Sequence, residues 1–232
     1  MPKGKLLVFE GIDGSGKTTQ VKLLLNFLKR KKLSFAHYSF PRYEMPWGKM
    51  VRRYLDGEFG SVGEVNPYLA SVLYAGDRFA AASEIKKNLG ETKIVVCDRY
   101  VASNIAHQAS KIKNPHFVPR SGTSKGKQSE KSKFMDWIQR FEYQDNKIPK
   151  EDLVILLSMP AQISQRLMRA KKKDIHEKDR GYLAKVSDVY DQMANDKANW
   201  VRVDSVGGGK LRKPDEIHDE VLSILKKHGI VQ

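Results

Sequence analysis

The amino-acid sequence predicts an α/β protein, a three-layer α/β/α sandwich built on a five-stranded parallel sheet. Three observations predict it: three short apolar runs lack polar alternation, helical patterns separate the five predicted strands, and a glycine-rich turn follows the first run. Strands buried on both faces give unbroken apolar runs, whereas half-exposed strands alternate. Parallel neighbours also need crossover helices between them. We therefore expect ligands at the carboxyl ends of the strands.

Each element has its own signal in the chain. The predicted strands are residues 6–9, 35–40, 94–97, 153–157 and 200–203. Pro41 ends the second strand, and three consecutive glycines at 207–209 form a turn after the fifth. Apolar residues that recur every three or four positions predict helices, which cover residues 17–28, 66–89 and 217–225.

Length and composition limit the possible classes of protein. The chain has 232 residues, 40% hydrophobic and 30% charged, so we expect a single domain over residues 1–232. This composition excludes a disordered or fibrous protein. No apolar run approaches the ~20 residues of a membrane helix, and the first is too short for a signal peptide. One cysteine, Cys97, excludes a disulfide framework, and a soluble cytoplasmic protein without a membrane partner is expected.

The net charge of +15 predicts an anionic partner. Nucleic acid, a membrane surface and a small polyphosphate are all anionic enough to bind such a protein. Basic residues are concentrated over 110–133, a segment rich in serine, glycine and proline that is predicted as a basic surface loop insertion. A second cluster runs from Arg166 to Lys173. Neither cluster interleaves aromatic residues, as a base-stacking surface would. A solvated loop and a specific binding site are both open interpretations of the first segment.

The strongest signal is a phosphate-loop motif directly after the first strand. Residues 11–18 fit the pattern G-x-x-x-x-G-K-[ST] in the required strand–loop–helix order. Glycines let backbone N–H groups converge on a phosphate, the helix N-terminus adds positive potential, and Lys17 adds a mobile charge. The Thr18 hydroxyl is a typical Mg²⁺ ligand in such loops. The residues predicted to bind a nucleoside triphosphate are Gly11, Asp13, Gly14, Ser15, Gly16, Lys17, Thr18 and Thr19.

Two further groups of polar residues follow strands at the same edge of the sheet. Asp98 and Arg99 come directly after the third strand, where a carboxylate can hold Mg²⁺ and an arginine can bridge phosphates. Arg42 and Tyr43 follow the second strand. A salt bridge that caps a strand is the alternative for the first pair, and a simple strand end is the alternative for the second.

The sequence is identified as a member of the thymidylate kinase family by a match that covers nearly the whole chain and rests on several motifs in order. These motifs are residues 9–20, 40–43, 74–78, 98–104 and 173–177. The resemblance implies the phosphate-loop kinase fold and transfer of the γ-phosphoryl of ATP to dTMP, which gives dTDP and ADP. It also implies ATP and dTMP as partners, Mg²⁺ as cofactor, and a homodimer that does not bind nucleic acid.

The resemblance implies which residues hold the phosphates and the metal. Asp13 would contact the deoxyribose 3′-hydroxyl. Arg99 would grip the dTMP phosphate, together with Tyr43 and Arg42. The implied metal ligands are Thr18, Asp98 and Asp13.

The resemblance also implies a set of contacts with the thymine base. Tyr74 would stack on the ring, Arg78 would contact its O4 atom, and Asn104 would face its N3 edge. His107 departs from the family pattern, because many relatives carry there a tyrosine that excludes a 2′-hydroxyl. The full implied dTMP-binding set is Asp13, Phe40, Arg42, Tyr43, Tyr74, Arg78, Arg99, Ser103, Asn104, His107 and Glu177.

Some family members carry an arginine inside the phosphate loop, and this chain has none there. The missing cation is therefore expected from a lid region over 166–180, with Arg169 as the candidate. Glu177 matches an acid of the lid that lies near the acceptor nucleotide in relatives. The implied catalytic residues are Lys17, Arg99 and Arg169.

Two other functions are consistent with parts of the same evidence. One is a phosphate-loop kinase for nucleosides or for another monophosphate, such as dUMP or dGMP. The other is a non-catalytic triphosphate binder associated with nucleic acid, which predicts DNA binding that weakens steeply with salt. Taken singly, Tyr74 could belong to the core, Asn104 and His107 to a polar surface, and Asp77 with Arg78 to an ordinary ion pair.

Overall fold

A computed structural model describes residues 4–61, 63–91, 93–112, 129–168 and 181–231. Within these ranges, five strands form the main sheet, two form a short hairpin, and eight helices surround them. The elements in chain order are β1 (Lys5–Glu10), α1 (Lys17–Arg30), β2 (Phe35–Ser39), α2 (Pro46–Leu55), α3 (Pro67–Gly90), β3 (Ile94–Asp98), α4 (Val101–Ala109), α5 (Glu130–Arg140), a π turn (Phe141–Asp145), β4 (Leu153–Ser158), α6 (Ala161–Met168), α7 (Tyr182–Asp196), β5 (Trp200–Asp204), β6 (Val206–Gly207), β7 (Lys210–Leu211) and α8 (Pro214–Lys227).

The main sheet is entirely parallel, with the strand order β2-β3-β1-β4-β5. The central strand is β1, where Phe9 lies opposite Asp98 of β3 and Ile155 of β4. The chain crosses from one side of β1 to the other between β3 and β4. In open α/β sheets, ligands bind outside the carboxyl ends of the strands at such a switch point. The loop after β1 begins at this position.

Helices cover both faces of the sheet. Apolar side chains of α1 and α8 pack on Leu7 and Phe9 of β1. The opposite face of β1, with Leu6 and Val8, is covered by α3, α4, α5 and α7. All four of these β1 side chains are buried, so both faces of the central strand lie in the core. The predicted three-layer α/β/α sandwich is confirmed.

The predicted strands agree with the structure to within a residue at each end. For β1, β3 and β4 the reason is that a strand buried on both faces has a sharply bounded apolar run. The helices predicted over 17–28, 66–89 and 217–225 correspond to α1, α3 and α8. Gly207 ends β6, and the other two glycines form the turn of the β6–β7 hairpin, where Gly208 and Gly209 have φ of +56° and +76°. Positive φ at both central residues is typical of the two-residue turns that connect the strands of a β-hairpin.

The basic loop predicted over 110–133 extends too far at its C-terminal end. Residues 130–133 form the first turn of α5, and Ser129 caps it by accepting a hydrogen bond from the Ser132 backbone N–H at 3.1 Å. Glu130 sits in the first turn, where an acid suits the helix dipole, and pairs with Lys133. The cap and the apolar spacing of α5 therefore make residues 130–133 helical despite their basic composition. Residues 113–128, which include most of the predicted loop, lie outside the described ranges.

The longest helix in the described ranges, α3, runs for 24 residues, and its last turn meets the start of β1, where the Gly4 N–H donates to the carbonyl oxygen of Leu89 at 2.8 Å. Asn66 caps it, accepting a hydrogen bond from the Tyr68 backbone N–H at 2.9 Å, and Pro67 occupies its first turn. Two buried charged residues, Asp77 and Arg78, interrupt its apolar face. In the described part of the chain, neither α3 nor any other helix combines the length and hydropathy needed to cross a bilayer.

Candidate functional site

Glycines give the phosphate loop its path between β1 and α1. Gly11, Gly14 and Gly16 have φ of +141°, +76° and +97°, a region that other residues disfavour. At Gly11, a Cβ atom would also lie 2.4 Å from the carbonyl oxygen of Leu157 on β4. The loop can follow this path against the sheet only with glycine at that position.

Lys17 begins α1, and its side chain folds back into the loop. Its Nζ donates to the carbonyl oxygens of Gly11 at 2.9 Å and of Ile12 at 2.7 Å. Burial first, and then the positive charge of Arg99, lower the pKa of Lys17 to about 8, although Asp13 and other acids act in the opposite direction. A phosphate beside this amine would favour its charged form.

The two ends of the loop are held by hydroxyl groups from neighbouring elements. Ser164 of α6 donates a hydrogen bond to the carbonyl oxygen of Asp13. Ser205, directly after β5, donates to the carbonyl oxygen of Ser15 at 2.9 Å. These contacts fix the loop backbone through its carbonyl oxygens. The Ser15 N–H donates to the carbonyl oxygen of Ile12 at 3.3 Å within the loop.

Thr18 and Asp98 present two hard oxygen groups beside the loop. Thr18 Oγ1 donates to Asp98 Oδ2 at 2.9 Å, which joins the start of α1 to the end of β3. Mg²⁺ accepts such oxygen ligands and usually keeps waters and substrate phosphates as well, so this pair suits it. Asp13, the third predicted ligand, forms an ion pair with Arg99 instead. Within the described ranges, no group of three or more His, Cys, Asp or Glu forms a metal site.

Arg99 lies between the loop and α4 in a left-handed backbone conformation, with φ of +67°. Its guanidinium pairs with Asp13, donates to Ser103 Oγ at 3.1 Å and lies 3.4 Å from His107 Nε2. Burial lowers the pKa of Arg99, but the charge of Asp13 and other acids outweighs it and raises the pKa overall. Positive φ at a non-glycine residue is uncommon and is concentrated at functional sites.

Glu10, which was not among the predicted site residues, holds this segment in place. Its buried carboxylate accepts hydrogen bonds from the backbone N–H groups of Tyr100 at 2.8 Å and Ser103 at 3.1 Å. It also accepts from Ser103 Oγ at 2.6 Å and from Tyr190 Oη of α7 at 2.9 Å. Burial raises the pKa of Glu10, against the effect of these hydrogen bonds and of Arg99. An acid at the end of a wholly apolar strand was the signal that could have identified it.

Two adjoining cavities open at this edge of the sheet. The phosphate-loop cavity is lined by residues that include Gly14, Lys17, Thr18, Thr19, Asp98 and Met168. The deep cavity is lined by residues that include Tyr74, Arg78, Ser103, Asn104, His107 and Gln108. Five residues form a wall that both cavities share: Asp13, Phe40, Pro41, Tyr43 and Arg99. Most of the predicted site residues are therefore brought together at one place.

Aromatic and polar residues both line the deep cavity. Tyr74 is half-buried and lines it, rather than lying fully in the core. Its ring meets that of Tyr54 edge to face, with centroids 6.2 Å apart. Asn104 is buried, so the interpretation of this residue as part of a polar surface is wrong. The cavity thus offers a flat apolar ring opposite hydrogen-bonding groups.

His107 lies on α4 between the shared wall and α7. Its Nδ1 is 3.1 Å from Tyr182 Oη, and its backbone carbonyl accepts a hydrogen bond from the same hydroxyl at 2.9 Å. Burial first, and then the positive charge of Arg99, lower the pKa of His107 to about 3. The imidazole is therefore neutral at physiological pH, and this ring adds no charge to the cavity.

Two arginines differ from their predicted surroundings. Arg42 is not among the cavity-lining residues, because its guanidinium is held by the buried Asp77, with Nε 2.9 Å from Oδ1. Arg78 pairs with Glu142, and Asp77 pairs with Arg42, so the alternative interpretation of Asp77 and Arg78 as an ion pair with each other is wrong. The reason is geometric: consecutive helix residues point in different directions.

Gln108 lines the deep cavity although it was not among the predicted site residues. It is one helical turn beyond Asn104, and its Oε1 accepts a hydrogen bond from Lys111 Nζ at 2.7 Å. Its buried Nε2 has no hydrogen-bond partner in the described part of the chain. Of the remaining predicted site residues, Arg169 and Glu177 lie outside the described ranges, as does most of the predicted lid over 166–180.

Comparisons with known proteins agree with this arrangement. Residues 9–120 match the thymidylate kinase family model. A probable thymidylate kinase of Methanocaldococcus jannaschii is 34% identical, with 97% of this chain and 98% of that protein covered. The thymidylate kinase of Plasmodium falciparum is 28% identical over 97% of this chain and 91% of its own.

A solved structure extends the comparison to the fold. The thymidylate kinase of Candida albicans superposes with a TM-score of 0.73 and 24% identity, covering 98% of this chain and 93% of its own. This likeness confirms the phosphate-loop kinase fold. Because the sequence match to the Methanocaldococcus jannaschii protein extends over nearly the full length of both chains, the protein belongs to the thymidylate kinase family.

Proposed function

We propose that this protein is a dTMP kinase, which transfers the γ-phosphoryl of ATP to dTMP and releases dTDP and ADP. The observation that carries the proposal is the shared wall between the phosphate-loop cavity and the deep cavity. Two nucleotides bound in these cavities would meet at Arg99 with their phosphates facing each other. Family membership supplies the identity of the acceptor.

The chemistry requires positioning and charge neutralisation rather than a general base. A phosphate monoester has its second pKa near 6, so the acceptor oxygen of dTMP is already ionised at neutral pH. The main barrier is the repulsion between two anionic groups and the charge that develops on the moving phosphoryl. Lys17 would neutralise the donor phosphates, and Arg99 would neutralise the acceptor phosphate.

We propose Mg²⁺ as the cofactor, held by Thr18 and Asp98 with the phosphates of ATP. The bound ion would supply positive charge at the β- and γ-phosphates. Asp13 is better placed to orient Arg99, with which it forms an ion pair, than to bind the metal. Arg169 and Glu177 remain proposed lid residues that would complete the charge neutralisation and exclude water.

The deep cavity would hold dTMP. Tyr74 would stack on thymine, Asn104 and Arg78 would contact its polar edge, and Arg99 and Tyr43 would contact the phosphate. The remaining proposed contacts are Asp13, Phe40, Ser103 and His107. Arg42, whose Nε and Nη2 are held by Asp77, remains a proposed contact of the acceptor phosphate.

We also propose that the protein is a cytoplasmic homodimer. We propose that its positive charge binds the phosphates of nucleotides and that it does not bind nucleic acid or membranes. The exposed apolar side chains Leu69 and Phe79 on α3 support an interface on that helix. A single buried cysteine, Cys97, is consistent with a reducing compartment.

An ATP-coupled assay across the nucleoside monophosphates tests the function directly. ADP formation should depend on the acceptor, and dTMP should give the highest kcat/KM among dTMP, dUMP, dGMP, dCMP and dAMP. ATP hydrolysis without acceptor is the control, and it should be far slower. Equal rates with and without dTMP would contradict the proposal, while a higher kcat/KM for another monophosphate would favour the alternative kinase.

Proton uptake on ATP binding tests the role of Lys17. Because its pKa is about 8 in the ligand-free protein, the amine is about half neutral at pH 8. Phosphate charge favours the protonated amine, so binding at pH 8 should take up about 0.5 proton and much less at pH 6.5. Calorimetry of MgATP binding in buffers of different ionisation enthalpy measures this number. The control is Lys22→Met, at an exposed position of the same helix, which should leave the number of protons taken up unchanged. If the unmodified protein took up no proton at pH 8, the assignment of Lys17 to the phosphates would be wrong.

A further inference from the structure

The π turn after α5 brings an acid into the interior of the protein. This turn, Phe141–Asp145, carries Glu142, whose side chain is completely buried. Glu142 does not line the deep cavity and takes no part in the mechanism above. Short π-helical insertions are rare and often occur at functional sites, so the contacts of this carboxylate are informative.

Glu142 contacts two residues of the deep cavity at once. Its Oε2 accepts a hydrogen bond from Arg78 Nε at 2.6 Å, and its Oε1 accepts from a terminal nitrogen of the same guanidinium. Oε1 also accepts from Asn104 Nδ2 at 3.0 Å. Burial lowers the pKa of Arg78, but the charge and hydrogen bonds of Glu142 outweigh it and raise the pKa overall. The arginine is therefore held charged in a buried position.

The side-chain amide of Asn104 can adopt only one orientation in this environment. Its nitrogen lies 3.1 Å from the carbonyl oxygen of Ser71 and 3.0 Å from Glu142, and both of these groups only accept hydrogen bonds. A rotated amide would place its oxygen against two other oxygens. The Oδ1 atom is consequently directed elsewhere, and it is buried without a hydrogen-bond partner among the described residues.

A buried acceptor without a partner is exceptional in native structures. In a residue that lines the deep cavity, it points to a donor on the ligand. Arg78 lines the same cavity, and its guanidinium has five N–H groups, of which Glu142 engages two. The cavity therefore offers an acceptor, Asn104 Oδ1, together with a donor, Arg78.

We propose that Glu142 is a positioning residue for base selection, which fixes the amide of Asn104 and the guanidinium of Arg78 so that the cavity accepts a base with a ring N–H beside a carbonyl. This inference rests on the proposed function of the deep cavity. Thymine and uracil carry N3–H beside the O4 carbonyl. Cytosine has an unprotonated N3 beside an amino group, so its hydrogen-bonding pattern is reversed at both positions.

Binding of dUMP and dCMP to the unmodified protein tests the polarity of the cavity. These two nucleotides differ only at position 4 and in the proton on N3, so dUMP should bind on the order of 10³-fold more tightly. Equal dissociation constants would overturn the proposal. Calorimetry needs no phosphoryl transfer, so this result is independent of the kinase assay, which alone decides the proposed function.

Glu142→Gln tests the positioning role. Glutamine replaces one of the two acceptor oxygens by a donor NH₂ group, which allows the amide of Asn104 to rotate. The Kd for dUMP should rise by about 10- to 100-fold, the loss expected for a hydrogen bond to a charged group. The ratio of the dCMP and dUMP dissociation constants should fall by at least about tenfold, while the Kd for MgATP should not change.

Glu151→Gln is the matched control, because Glu151 accepts a hydrogen bond from Tyr143 of the same π turn, at 2.7 Å, and does not line the deep cavity. It should leave both dissociation constants unchanged. An unaltered dCMP-to-dUMP ratio in Glu142→Gln would overturn the proposal, because a purely structural role would weaken both ligands equally. If Glu142→Gln does not fold, Glu142→Asp replaces it as the test, because it retracts the carboxylate by one methylene. Glu142→Asp should lower the dCMP-to-dUMP ratio, and an unchanged ratio in this variant would also overturn the proposal.

Discussion

Replacing Lys17 with alanine should lower kcat by at least about 10²- to 10³-fold, the loss typical for one preorganised charge. The amine begins α1 inside the phosphate loop and would face the phosphates that ATP brings to this cavity. Burial already lowers its pKa to about 8, so the folded protein gains little from this charge. The variant should therefore remain folded, and steady-state kinetics together with a denaturation curve measure both effects.

The matched control for this prediction is Lys22→Ala, which removes a lysine from an exposed position of the same helix. It should change kcat by less than about twofold, as exposed substitutions usually alter free energies by under ~0.5 kcal/mol. If Lys17→Ala retained the rate of the unmodified protein, the assignment of the donor site to this loop would be wrong.

Replacing Arg99 with lysine should lower kcat/KM for dTMP by about 10²-fold although the positive charge remains. A guanidinium can hold Asp13 and Ser103 and still present N–H groups to a phosphate, whereas an ammonium is a single point charge. The backbone cost of φ +67° is similar for both residues, so the substitution isolates the chemistry of the side chain. Steady-state kinetics with dTMP as the varied substrate measure the effect.

Arg202→Lys is the control, because Arg202 is half-exposed and pairs with Asp191 and Asp204 far from the cavities. Such surface pairs contribute little to stability, and the kinetic constants should not change. A lysine at position 99 that supported full activity would show that only charge, and not the shape of the guanidinium, is needed there.

The fold could be predicted from the sequence to the level of individual strands. Buried parallel strands leave unbroken apolar runs, and the phosphate-loop motif fixes where the first helix begins. Helices were harder to predict where the signal was a cap rather than a long apolar face. The basic composition of 110–133 obscured the start of α5, which Ser129 defines by capping it. The π turn has no sequence signature, because its geometry depends on how α5 meets the sheet.

The site could be predicted only in part. Residues that the phosphate loop and the strand ends bring together, such as Lys17, Asp98 and Arg99, follow from the topology of a parallel sheet. Glu10 and Glu142 could not be predicted in the same way, because each acts through contacts between segments distant in the sequence. The engagement of Arg42 by Asp77 is of the same kind.

The shared wall has a consequence for how such a protein can diverge. A substitution at Asp13 or Arg99 alters the surroundings of both nucleotides together, so donor and acceptor preferences cannot be adjusted there separately. Side chains that face one cavity alone, such as His107 and Gln108, are free of that constraint. Natural variation in the acceptor that related proteins use should therefore accumulate on α4, while the residues between the two cavities stay constant.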